Sequence, residues 1–145
     1  MEWDIASATV EERAEMAVWV ALHKQFRDLL HSGKVVRADH PDPDLWVHGV
    51  VDHEGEQAIF AIVSLRQRVW TRPGRVRLPG LVDGASYRVT VLPPTQKAPA
   101  NDTRPVPWLS AAPVELRGSA LGHAGLEVPS LYPEQLLLIH LASVG

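Results

Sequence analysis

Residues 45–65 read LWVHGVV-DHEG-EQAIFAIVSL, two β-rich runs on either side of a four-residue turn that contains Gly55. That pattern predicts a β-hairpin, with strands at 45–51 and 57–65 and the turn at Asp52-His53-Glu54-Gly55. In the second run, Ala58-Ile59-Phe60-Ala61-Ile62-Val63 is apolar on both faces. A half-exposed strand alternates, so this one is expected in the middle of a sheet, covered on both sides and on one of them by a helix.

Downstream of the hairpin the period of two persists. Arg75-Val76-Arg77-Leu78 and Tyr87-Arg88-Val89-Thr90-Val91 alternate as half-buried strands do, joined through residues 79–84. Residues 93–107 are rich in proline and carry little that would anchor a core, which predicts a loop. Val114 to Arg117 begins another strand. A connection at 119–129 then leads to a last, well-buried strand at Gln135 to Leu141.

Upstream, Lys34 to Asp39 is a short strand, and before Gly33 the period changes to 3.6. Thr9-Val10-Glu11-Glu12 has the form of a capping box, and Gly33 after Ser32 suits a helix stop. These signals predict one helix over about residues 10–32. Val18, Trp19, Leu22, Phe26, Leu29 and Leu30 form an apolar stripe roughly 120° wide. Met16 and Val20 fall outside it, on the side of Lys24 and Arg27. Residues 16–22, MAVWVAL, are therefore apolar around more of the helix than one packing face requires. The expected fold is mainly β: a Greek-key-like antiparallel sandwich of about seven to eight strands, preceded by one long helix.

The chain has 145 residues, 46% hydrophobic and 21% charged, with a formal net charge of −3 and no cysteine. It is long enough for one core-bearing domain, and its charge points neither to nucleic acid nor to an acidic tail. The absence of cysteine removes disulfides and thiolate metal sites and fits a cytoplasmic location. No apolar run approaches the ~18 residues of a membrane span, so a soluble chain without a membrane partner is expected.

Chemistry is sparse. Asp39, Asp42 and Asp44 form one acidic cluster and Asp52, Glu54 and Glu56 another. Glycoside hydrolysis by paired carboxylates needs two such groups held across a cleft. Both clusters fall in inter-strand turns, where aspartate is common for backbone reasons. The seven histidines show no paired helical spacing or other zinc signature. His23 and His31, eight apart on the helix, are not expected to be neighbours, and His140 reads as a satisfied core histidine. Trp46, Trp70 and Trp108 would suit sugar stacking; the simpler reading puts Trp46 in the core and the other two over sheet edges or a seam. No catalytic residue, cofactor-binding residue or metal ligand is assigned, and no cofactor is expected.

Several stretches resemble the carboxyl-terminal end of bacterial family 36 glycoside hydrolases, the α-galactosidases. They are LLHSGKVVRADHPDPDLWVHGVV (29–51), PGRVRLPGL (73–81), YRV (87–89), LRGSALGHAGLEVP (116–129) and YPEQLLLIHL (132–141). Glu2-Trp3-Asp4 is similar to the segment that follows the last barrel strand of those enzymes. The resemblance implies a (β/α)8 barrel that hydrolyses terminal α-galactosides with retention through two aspartates, followed by a closing β-sandwich. No position here matches either aspartate motif. It also implies a partition into residues 1–33, with the final barrel helix, and residues 34–145, the sandwich.

On this reading the chain is an excised non-catalytic domain, inactive alone, with a structural role in supporting barrel and assembly. Its partner is the barrel, met through the helix. Without the barrel, the helix is expected to dock elsewhere, to fray or to mediate self-association. The alternative role is a carbohydrate-binding module.

Overall fold

The structure, a computed structural model, describes residues 7–66, 73–93, 106–110 and 113–145. The helix begins as the capping box demands. Thr9 Oγ1 accepts from the Glu12 amide at 3.1 Å, and Glu12 Oε2 accepts from the Thr9 amide at 2.7 Å. Helix α1 runs Val10–Gln25, and none of its residues is buried.

The expected single helix is interrupted at Phe26, whose backbone leaves helical geometry (φ −108°, ψ 17°), and α2 follows over Arg27–Ser32. The bend has a packing consequence. Phe26 and Leu29 are buried with Ile59, Leu92 and Leu138 of the sheet, while most of α1 stays off it. Gly33 ends α2 as its sequence position suggests, donating to Leu29 O, in an extended conformation with φ −71°. What glycine supplies there is room: a Cβ would lie 2.5 Å from Val50 Cγ1.

Eight strands follow in chain order: β1 Lys34–Ala38, β2 Leu45–Val51, β3 Gln57–Ser64, β4 Arg75–Val76, β5 Ser86–Leu92, β6 Val114–Arg117, β7 Leu126–Glu127 and β8 Leu136–Val144. Six form one antiparallel sheet in the order β1-β2-β3-β8-β5-β6, and β4 pairs with β7 in a second, small sheet. The chain's last strand thus inserts between β3 and β5.

Alternation sorts the large sheet into two faces. The register Val47↔Ile62↔Leu137 and Gly49↔Phe60↔Ile139 places the largest buried side chains on one face. Gly49 is required in that layer, because a Cβ would meet Phe60 Cδ1 at 2.5 Å. Against this face pack Val76, Leu78, Leu121, Leu126, Val128 and Leu131, contributed by the small sheet and its flanking loops. The opposite face carries α2. The result is the expected mainly β fold with unequal layers, the second being a two-stranded sheet padded by irregular chain.

Two differences from expectation lie in that thin layer. The run at 75–78 pairs only through Arg75 and Val76, and the presumed connection at 119–129 contains a π-helical segment, Ala120–Ala124, and β7. A helix α3 spans Pro107–Ser110 and begins at the last residue of the stretch read as loop, 93–107. The rest of that stretch, 94–105, lies outside the described residues.

Candidate functional site

The acidic clusters are built into turns. Asp52 Oδ1 accepts from the Glu56 amide at 2.7 Å and Oδ2 from the Gln57 amide at 3.0 Å, closing the hairpin. Asp42 Oδ1 accepts from the Asp44 amide at 3.0 Å, while His40 Nδ1 accepts from the Asp42 amide at 3.0 Å. Hydrogen bonds of this kind satisfy local backbone donors and set turn geometry. Among the described residues no group of three or more His, Cys, Asp or Glu could hold a metal ion.

The histidines depart from expectation twice. His23 and His31 stand with ring centroids 5.7 Å apart, because the break at Phe26 bends the chain and brings α1 and α2 together. A straight helix would separate residues eight apart by ~12 Å along its axis. His140 lies under Phe26, with ring centroids at 4.8 Å, and its buried Nε2 has no hydrogen-bond partner among the described residues. The satisfied core histidine expected from sequence is instead a half-buried one whose Nε2 finds no partner among the described residues. Burial lowers its pKa from the ordinary histidine value, because the charged form loses water.

The tryptophans also sort differently. Trp46, read as core, is 59% exposed: it projects from β2 on the face opposite Val47. Trp108 is half-buried, and its indole Nε1 donates to Glu127 O at 2.7 Å. It lines a hollow with Leu121, Leu126, Val114 and Leu116 beside the small sheet. Its polar edge is therefore engaged within the domain. Trp70 lies outside the described residues.

What remains is an apolar surface rather than a reactive cleft. Val18, Trp19, Val20 and Leu30 are exposed, Val20 by 50% and Trp19 by 38%. The belt that sequence marks as excessive is uncovered around most of α1. Among the described residues, no helix is long and apolar enough to cross a membrane, so α1 is not a span.

Comparison with known proteins gives these features a context. Residues 46–141 match the model described as the glycosyl hydrolase family 36 C-terminal domain. An α-galactosidase of Escherichia coli is 34% identical over an alignment of 145 positions that covers 97% of this chain and 20% of that enzyme. Among solved structures, the α-galactosidase from Lactobacillus brevis superposes with a TM-score of 0.75 at 22% identity, over 99% of this chain and 18% of the other. A family 36 α-galactosidase from Geobacillus stearothermophilus gives 0.75 at 20%, over 99% of this chain and 17% of the other. These two likenesses concern the fold. This chain spans about a fifth of the length of the E. coli relative.

Proposed function

The chain belongs to the C-terminal domains of the family 36 glycosyl hydrolases, and from that premise we propose that it serves as a non-catalytic, structural domain of an α-galactosidase. Its partner is the (β/α)8 barrel of that enzyme, which supplies the two catalytic aspartates, and α1 is the barrel's last helix. The observation that carries this reading is α1 itself: sixteen residues, none buried, with Val18, Trp19 and Val20 exposed. Burying one such side chain contributes ~1.5–3 kcal/mol, so a second surface meeting this belt gains stability that the domain alone does not collect. The acidic turns support the same reading, since Asp42 and Asp52 are held by backbone amides.

The test is a chimera in which this chain replaces the matched region of the E. coli α-galactosidase. The chain alone is expected to leave a nitrophenyl α-galactoside intact, and the chimera to hydrolyse it. Val18→Ser with Val20→Ser should shorten the chimera's half-life on heating without lowering the melting temperature of the chain alone. Hydrolysis by the chain alone, or a chimera indifferent to the helix variant, would overturn the reading.

Two further outcomes bear on it. Without a barrel, the same helix is where two copies would pair, so light scattering of the chain should show concentration-dependent association that the serine pair suppresses. Titration with galactose, melibiose or raffinose should leave tryptophan fluorescence unchanged. A saturable change lost in Trp108→Ala would favour a carbohydrate-binding module instead.

A further inference from the structure

His23 and His31 share one patch of surface although eight positions separate them. His23 lies in the last turn of α1 and His31 in the last turn of α2. Their ring centroids stand 5.7 Å apart, with the planes at 72°, and both side chains are exposed. The break at Phe26 creates this juxtaposition, and burial of Phe26 and Leu29 against the sheet holds the break in place. The pair is therefore set by the packed part of the fold.

We propose that His23 and His31 form a two-imidazole chelate for a divalent transition-metal ion, seated across the break at Phe26. The inference goes beyond the proposed function and does not rest on it, since both ligands belong to this chain. An imidazole nitrogen holds a zinc ion at ~2.0–2.1 Å, which places the ion ~3 Å from the ring centroid and the centroids of two cis ligands ~4.5–5.2 Å apart. The observed 5.7 Å is slightly wider, a gap that small χ rotations of two exposed side chains close. Rings stacked face to face aim their lone pairs in parallel, whereas rings inclined by 72° can converge on one point.

The ligand type selects the ion. Imidazole suits Zn²⁺, Ni²⁺ and Cu²⁺, whereas Mg²⁺ and Ca²⁺ take oxygen ligands. Among the described residues no third His, Cys, Asp or Glu joins the pair, so water fills the remaining positions and the site is an open, exchangeable one. The last turn of α1 favours a cation through its carbonyl ends. Lys24 and Arg27, beside the pair in sequence, oppose one, but both are exposed and screened by water. In a continuous helix the two rings would lie ~12 Å apart along the axis, too far for one ion. Bound metal therefore selects the broken helix and ties α1 to the segment pinned on the sheet.

Calorimetric titration of the untagged chain with Zn²⁺ tests the site. One ion should bind saturably per chain, and Mg²⁺ should give no saturable heat. His23→Ala and His31→Ala should each weaken Zn²⁺ binding at least tenfold, and the double variant little further, because either loss destroys the chelate. His53→Ala, in the exposed turn of the hairpin, should leave binding unchanged. All of these positions are exposed, so the variants should keep the melting temperature of the metal-free chain. Zn²⁺ should also slow amide exchange across residues 23–31 several-fold in the parent chain and in neither single variant.

Absence of saturable Zn²⁺ binding would overturn the proposal. Single variants that each remove only about half of the binding would also do so, since the two rings would then act as independent ligands. A loss in His53→Ala equal to that in His23→Ala would assign the ion to surface histidines at large. Tight binding that leaves amide exchange across the break unmoved would show that the ion does not span it, and the chelate would fall on that ground.

Discussion

The ring of Phe26 lies on that of His140, centroids 4.8 Å apart and planes tilted by 47°, where the helical segment is pinned to the sheet. His140 faces Ile59 on β3 and Thr90 on β5, and its buried Nε2 has no hydrogen-bond partner among the described residues. Burial holds its pKa below the ordinary histidine value. The folded chain therefore binds fewer protons at this site than the unfolded one. This contribution to stability is complete above the unfolded pKa of ~6.5 and is lost as pH falls from there toward the lowered folded value. His140→Leu should flatten the dependence of melting temperature on pH between 7 and 5 and leave stability at pH 7 equal or higher, since it removes an unsatisfied polar atom. Thermal melts at a series of pH values check both; an unchanged slope would show that other groups govern acid sensitivity.

Tyr87 joins two turns on the other side of the sheet. It is fully buried; its hydroxyl accepts from the Val82 amide at 2.9 Å and donates to Gly55 O. Tyr87→Phe fills the same space and leaves both backbone groups without that partner. The expected loss is ~1–3 kcal/mol, read by denaturant unfolding as a lower midpoint with an unchanged slope. Loss of protection at the Val82 amide in hydrogen exchange would localise the effect.

How much of this was legible depends on where a residue's neighbours are. The hairpin at 45–64 and the doubly covered β3 follow from period and turn chemistry alone, because strand partners there are close in sequence. The capping box at Thr9 is local in the same sense. The break at Phe26 is not: the stripe through Phe26 and Leu29 is a good helical pattern, and only docking on Ile59 and Leu138 bends it. His23 and His31 become neighbours through that long-range event.

Trp46 departs from the expected core position for a related reason. The alternation Leu45, Val47, Gly49, Val51 identifies the inner face of β2, and Trp46 has the opposite parity. Its large apolar side chain suggested a core position, but parity decides which way it points. His140 has no such signal, because nothing in LLLIHL distinguishes a satisfied ring from an orphaned one. The thin second layer was hardest to read, since β4 and β7 have two residues each and too little length to show a period.

Gly33 offers a test of space as opposed to backbone conformation. Its φ of −71° suits any residue, yet a Cβ would also lie 2.7 Å from Leu29 O and 2.8 Å from Val51 O. Gly33→Ala should destabilise by ~1–3 kcal/mol through overpacking. Val50→Ala removes the nearest side chain and should recover part of that loss, whereas the two backbone oxygens still crowd the new methyl. A double-mutant cycle on thermal stability measures the coupling; simple additivity would mean that the backbone contacts alone set the effect.

Thr9→Ala separates the stability of α1 from that of the domain. It removes the acceptor for the Glu12 amide and leaves Glu12 Oε2 to cap from one side only. Such a change costs about 1 kcal/mol of local helix stability. Because no residue of α1 is buried, that loss is expected to stay in the helix. Amide exchange across residues 10–25 should quicken several-fold, while the melting temperature of the sheet, followed through exchange at Phe60 and Ile139, stays within about 1 °C, less than the shift expected for 1 kcal/mol of global stability. If α1 seats against a barrel as proposed, the same substitution in a chimera carrying that barrel should lower global stability. A fall in the melting temperature of the isolated chain equal to that of the chimera would mean that α1 is already fully coupled to its own sheet.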